Sequence, residues 1–154
     1  MRAVLEITLT LVFWGCLLRA AWEDGKSQMV RRWLWWVAGS AGFLTLWLRR
    51  GEAPGAWIEL VCYGALQFLF FSKMYGRADC HAFFCCGIMT SAYGGGMKEY
   101  LWHMLITFSY LGIIQIGKRN VTARGNLRQP VALIPYVVPA YLTCILLGYL
   151  RSFP

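Results

Sequence analysis

The chain has 154 residues, of which 58% are hydrophobic and only 14% are charged, with a mean hydropathy of +0.49. A soluble domain of this length could not bury so much apolar surface, so the composition favours the membrane class. The net charge of +8 could suggest nucleic acid, but the basic residues form short clusters between apolar runs without an amphipathic stripe. We therefore expect no nucleic-acid partner and assign these clusters to membrane topology and contact with membrane lipid.

Six apolar segments approach the length of about 20 residues that a membrane-spanning helix needs. They cover residues 4–22, 33–48, 56–72, 80–97, 100–117 and 131–150. The fourth segment is the weakest, because Gly94, Gly95 and Gly96 loosen its end. The first segment carries Glu6 and Arg19 and lacks a small-residue cleavage site, so we expect a retained helix rather than a signal peptide. The sequence thus predicts an all-α, polytopic membrane bundle that forms one domain over residues 1–154.

The lysine and arginine residues between these segments are unevenly divided, which predicts the orientation. One side has five of them, namely Arg2, Arg49, Arg50, Lys98 and Arg151. The other has nine, namely Lys26, Arg31, Arg32, Lys73, Arg77, Lys118, Arg119, Arg124 and Arg128. We assign the richer side to the cytoplasm. Asp24 follows the first segment and Asp79 precedes the fourth, so both are predicted at the cytoplasmic boundary.

Asp24 and Asp79 are the only two aspartates in the chain. Two carboxylates about 3 Å apart cannot both ionise cheaply, so one pKa rises and the other falls. The ionised member can then take a proton from water, while the protonated member donates one to a scissile carbonyl oxygen. The sequence does not decide which aspartate takes which role.

The two aspartates stand in recognisable contexts. Asp24 begins the polar run Asp-Gly-Lys-Ser-Gln-Met-Val-Arg-Arg, and Asp79 ends Gly-Arg-Ala-Asp and is followed by Cys-His. Here the chain resembles the type IV prepilin peptidase family, which includes the preflagellin peptidases. In this resemblance Asp24 takes the place of the first catalytic aspartate, with Lys26 and Ser27 at its basic and hydroxyl positions. Arg31 and Arg32 stand where that family usually has Pro-Asn.

The second motif of the family is Gly-x-Gly-Asp. Gly76 and Asp79 match its ends, Ala78 stands in the place of its second glycine, and His81 stands where lysine is usual. The late segment Leu-Ile-Pro-Tyr at 133–136 resembles the family's proline-containing entry into its last helix.

The resemblance implies an intramembrane aspartic endopeptidase of the short, peptidase-only form found in tight-adherence pilus systems. It implies a multi-pass protein of the bacterial cytoplasmic (inner) membrane that removes the leader of type IV prepilin-like precursors at the cytoplasmic face. Asp24 and Asp79 would be catalytic, and Gly76 and Ala78 would shape the loop. Lys26, Arg77 and His81 would be supporting contacts to substrate. No metal or other cofactor is implied.

Several alternatives stay open. The aspartates could simply cap helices, with Asp79 as the N-cap of the fourth helix. The chain could then be a non-catalytic membrane subunit of a pilus or secretion assembly, or a small transporter using Glu6 and Glu59. We expect these two glutamates to serve the outer interface or helix pairing instead. Glu23 is predicted to be a charge at headgroup level, and His103 a hydrogen-bonded histidine inside the bundle.

Overall fold

A computed structural model describes residues 1–51, 55–121 and 132–151 of the chain. The α-helices of these residues are α1 (Arg2–Ser27), α2 (Arg32–Leu48), α3 (Ala56–Gly64), α4 (Arg77–Ala92), α5 (Met97–Val121) and α6 (Ile134–Arg151). A π-helical turn, Ala65–Phe70, and a 3-10 turn, Phe71–Lys73, connect α3 to α4. The prediction of an all-α fold with six helical segments is confirmed for the described part of the chain.

The fourth helix differs most from its predicted bounds. It begins at Arg77, so Asp79 lies inside its first turn rather than before it. It ends at Ala92, because Gly94 adopts a left-handed φ of 77° that an α-helix cannot continue. Met97, predicted as its last residue, belongs to α5.

The helix α4 is the central element of the bundle. It packs against α2, α3, α5 and α6, while α1 packs against α2 and α6. Gly87 lets two aromatic rings pack closely against α4, since a Cβ atom there would lie 2.8 Å from the Tyr63 ring and 3.0 Å from the Tyr100 ring. These two rings stack with centroids 4.2 Å apart, so a larger residue at Gly87 would force them away from α4.

The outer surface of the bundle carries many exposed apolar side chains. Examples are Leu11, Trp36, Val61, Leu69, Ile113 and Leu146. Soluble monomers rarely expose apolar patches of such extent. Of the helices in the described ranges, α1 alone is long and apolar enough to cross a membrane. One such helix near the N-terminus is weak support for membrane association, and the six crossings remain a prediction.

Candidate active site

Asp24 lies in the last turn of α1 and is only 6% exposed. Its Oδ2 atom accepts the backbone N–H of Ile134, the first residue of α6, at 3.1 Å. The backbone N–H of Leu133 also donates to this carboxylate. The first N–H groups of a helix have no partner within the helix, and the helix dipole favours negative charge there. Asp24 therefore joins the C-terminal end of α1 to the N-terminus of α6.

Glu23 fixes the turn that follows Asp24. It is 8% exposed, and its carboxylate accepts the backbone N–H of Arg31 at 3.1 Å and the Nε–H of Arg19 at 3.0 Å. The helix ends where Gln28 takes a left-handed φ of 55°. These hydrogen bonds hold Glu23 against the connection between α1 and α2, and its position at headgroup level stays a prediction.

Asp79 is half-buried at the third position of α4. Its Oδ2 atom accepts the backbone N–H of Gly76 at 3.0 Å. The N-cap residue is Gly76, so the expectation of Asp79 as the N-cap is wrong: its carboxylate reaches back to the cap instead.

Gly76 itself has φ −64° and ψ 156°, which any residue can adopt. Gly76 therefore does not shape the loop through a backbone conformation that only glycine can adopt. Its small size matters for another reason, because a Cβ atom there would lie 3.2 Å from Asp79 Oδ2. The glycine leaves room beside the carboxylate.

The two aspartates are separated by 55 positions in the sequence, yet the charge of Asp24 acts on Asp79. Burial raises the pKa of Asp79 to about 6, and the negative charge of Asp24 is the second cause. Burial also raises the pKa of Asp24, against the opposing effect of its two backbone N–H donors. Neither pKa is influenced by a cation among the described residues. The charge of one carboxylate thus favours the protonated form of the other.

Among the described contacts, the side chains of Lys26, Arg77 and His81 form no hydrogen bond or ion pair with either aspartate. Arg77, Ala78 and His81 line a groove on α4 beside Asp79. His81 packs between two aromatic rings, and its Nδ1 lies 2.5 Å from the carbonyl oxygen of Arg77, close enough for the ring N–H to donate. Lys26 is exposed on the last turn of α1 and influences neither aspartate pKa.

Two features of the site were not predicted as parts of it. The backbone donors of Leu133 and Ile134 hold Asp24, and the only sequence signal for them is Pro135, a residue suited to the start of a helix. Burial raises the pKa of Tyr75 above its ordinary range, and the negative charge of Asp79 adds a smaller contribution. The Tyr75 hydroxyl donates to Gln67 Oε1 in the π-helical turn, and no sequence pattern predicted that contact.

Within the described ranges, no group of three or more histidine, cysteine or acidic side chains could hold a metal ion. The chain matches no protein-family model, no curated protein and no solved structure. Its function is therefore inferred from the site and from the resemblance of its motifs.

Proposed function

We propose that this chain is a multi-pass membrane aspartic endopeptidase that cleaves the leader of type IV prepilin-like precursors at the cytoplasmic membrane face. The observation that carries the proposal is that the charge of Asp24 acts on Asp79, the only other aspartate in the chain. Perturbed carboxyl groups that share a site are typical of acid–base catalysis.

The hydrogen bonds of the two carboxylates support different roles. Asp24 accepts two backbone N–H groups at the start of an 18-residue helix, which stabilises its ionised form. Asp79 accepts only one N–H. Burial and the charge of Asp24 outweigh this contact and favour the protonated form of Asp79. We assign Asp24 as the base and Asp79 as the acid.

The reaction follows from these two states. Asp24 takes a proton from water, and the resulting hydroxide bonds to the scissile carbonyl carbon while Asp79 gives its proton to the carbonyl oxygen. When the carbon–nitrogen bond breaks, the proton on Asp24 passes to the leaving amine and one hydroxyl proton of the intermediate returns to Asp79. Both aspartates thereby regain their starting states.

The substrate class comes from the resemblance to prepilin peptidases. It implies a leader that ends in glycine before a hydrophobic helix. The exposed apolar surface of the bundle suits a partner that lies in the membrane, and the two aspartates lie where helices begin and end. A peptide bond must leave its helix before cleavage, and non-helical backbone at membrane depth needs protein or water around it.

The test is processing of a co-expressed prepilin-like substrate by Asp24→Asn and Asp79→Asn, measured as loss of the leader on a gel. We expect both variants to lose processing. The matched control is Glu6→Gln, which neutralises a partly exposed carboxylate that pairs with Arg2 at 2.8 Å, and it should process normally. Wild-type processing by either asparagine variant would overturn the proposal.

A second candidate function is a non-catalytic membrane subunit of a pilus or secretion assembly. The observation that favours it is that each aspartate also has a structural contact, Asp24 with α6 and Asp79 with Gly76. Asparagine keeps a side-chain oxygen for both contacts and is an equally good capping residue. The asparagine variants would therefore still support assembly under this alternative, and they separate the two functions.

A further inference from the structure

A second feature of the bundle is a groove of about 710 Å³ that lies over α4. Its floor includes Phe84 and Ile88 of α4, one wall is formed by Trp36 and Ser40 of α2, and Phe68 of the π-helical turn stands on the other side. The volume lies within the range of single-ligand sites in proteins. The groove is thus large enough for one molecule rather than for water alone.

The mouth of the groove is cationic. Arg32, the first residue of α2, and Arg77, the first residue of α4, both line it and are exposed. Among the described residues, no carboxylate lies within ion-pair distance of either arginine. Two arginines without counter-ions provide planar donors suited to a phosphate group.

The body of the groove is apolar. Trp36 is 77% exposed, and Phe43 and Phe68 are also exposed on the two sides. Phe43 stacks on Trp57 of α3 with centroids 6.4 Å apart, which brings α2 and α3 together beyond the arginine end. A matching ligand therefore has an anionic end and a hydrocarbon body.

We propose that this groove binds one anionic phospholipid, with its phosphate at Arg32 and Arg77 and an acyl chain along α4. The lipid would contact Arg77 and Ala78, which precede Asp79 in the same helical turn. The proposal requires membrane residence but not peptidase activity.

The test is native mass spectrometry of the full-length protein, purified in detergent and titrated with phosphatidylglycerol or phosphatidylcholine. We expect one phosphatidylglycerol to bind in preference to phosphatidylcholine. Arg32→Gln and Arg77→Gln should each weaken that binding roughly fivefold, the loss expected for one basic residue at an anionic lipid surface. Lys73→Gln is the matched control, because Lys73 is exposed near the same end and does not line the groove.

A second variant tests the apolar body. Ser40→Trp places a large ring in the groove at an exposed position, keeps both arginines and should also abolish the preferred binding. Circular dichroism and gel filtration would verify that each variant is folded. Equal binding of the two lipids, or wild-type phosphatidylglycerol binding by the double arginine variant, would overturn the proposal. Loss of prepilin processing without loss of lipid binding would also overturn it, by assigning the groove to a protein substrate.

Discussion

Asp79 and Ser91 lie near opposite ends of α4, about 18 Å apart along an axis that rises 1.5 Å per residue. Beside Ser91, the carboxylate of Glu59 accepts the hydroxyl of Ser91 at 2.8 Å and that of Tyr63 at 3.1 Å. The oxygen atoms of the two hydroxyls lie 3.1 Å apart. Beside Asp79, the partners are backbone N–H groups and a second carboxylate, Asp24.

The difference shows how the same chemical group acquires different uses. Side-chain hydroxyls satisfy Glu59 and tie α3 to α4, which confirms the expected helix-pairing role of this residue. The pair of Asp24 and Asp79 has no such hydroxyl donor among the described contacts, and each charge disfavours the other. The first arrangement adds stability, and the second reduces stability but can hold a transferable proton.

The largest expected effect comes from moving each carboxylate by one methylene. Asp24→Glu keeps the charge but displaces it from the water that it activates, and a displacement of about 1 Å can cost roughly 100-fold in rate. Glu59→Asp removes one methylene from the carboxylate that the two hydroxyls contact, and it should leave the rate of processing within about threefold of wild type. The measurement is the initial rate of leader cleavage with purified substrate.

An equal loss of cleavage rate in these two variants would contradict the different roles assigned to the two ends of α4. The amounts of folded protein must be matched first, because the shorter side chain of the Glu59→Asp variant also weakens a stabilising contact.

The next effect is on the pH dependence of stability. The pKa of Asp79 rises from its ordinary 3.8 to about 6 on folding, so the folded state holds the proton more tightly. Stability is then fully present below about pH 4 and falls as the pH rises through about 6, by at most about 3 kcal/mol. The thermal midpoint of wild type in detergent should decrease over this range.

Asp79→Asn should remove most of this slope and become more stable than wild type above pH 6. A variant that kept the wild-type slope would show that Asp79 is not the group that titrates.

A smaller effect is expected at the other end of α4. Ser91→Ala removes the hydroxyl that donates to Glu59 and leaves this partly buried carboxylate with the Tyr63 donor alone, at a cost of about 1 kcal/mol. The cleavage rate per folded molecule should not change. Ser109→Ala, which removes an exposed hydroxyl bonded only to the carbonyl of Leu105, is the control and should cost less than about 0.5 kcal/mol. Denaturation in mixed micelles can compare them, and a reduced rate for Ser91→Ala would contradict its structural role.

The smallest effect is expected from Gly76→Ala. The added methyl group would lie 3.2 Å from Asp79 Oδ2 and must displace it by a few tenths of an ångström. We expect processing to fall about threefold, well below the effect of moving Asp24. Gly15→Ala is the control, because a Cβ atom at Gly15 meets nothing within 4 Å. If Gly76→Ala processes at the same rate as Gly15→Ala, processing does not depend on the space beside Asp79.

The helical segments could be predicted from the apolar runs, because loops interrupted each run with charge, glycine or proline. The number of predicted crossings between Asp24 and Asp79 is even, which placed them at the same end, and in the structure the charge of Asp24 acts on Asp79. The bounds of the helices were less predictable. Local hydrophobicity did not show that Gly94 would adopt a left-handed φ or that residues 65–70 would form a π-helical turn.

The partners of the site could not be predicted from composition. The contact between Asp24 and Ile134 spans 110 positions, and no local pattern encodes so distant a hydrogen bond. The partners of Glu23 were equally unpredictable, because they depend on how α1 and α2 meet. Tertiary packing decides such contacts after the helices have formed.

The most direct test of the proposed proton-sharing pair uses the fact that the chain contains only two aspartates. Selective ¹³Cγ labelling of aspartate therefore gives two carboxyl NMR signals, which Asp24→Asn and Asp79→Asn assign. We predict that the Asp79 signal titrates near pH 6 and shifts to a lower pKa in Asp24→Asn, since the charge of Asp24 contributes to its raised value. Two independent titrations near pH 4, unchanged when the other aspartate is removed, would contradict a shared proton.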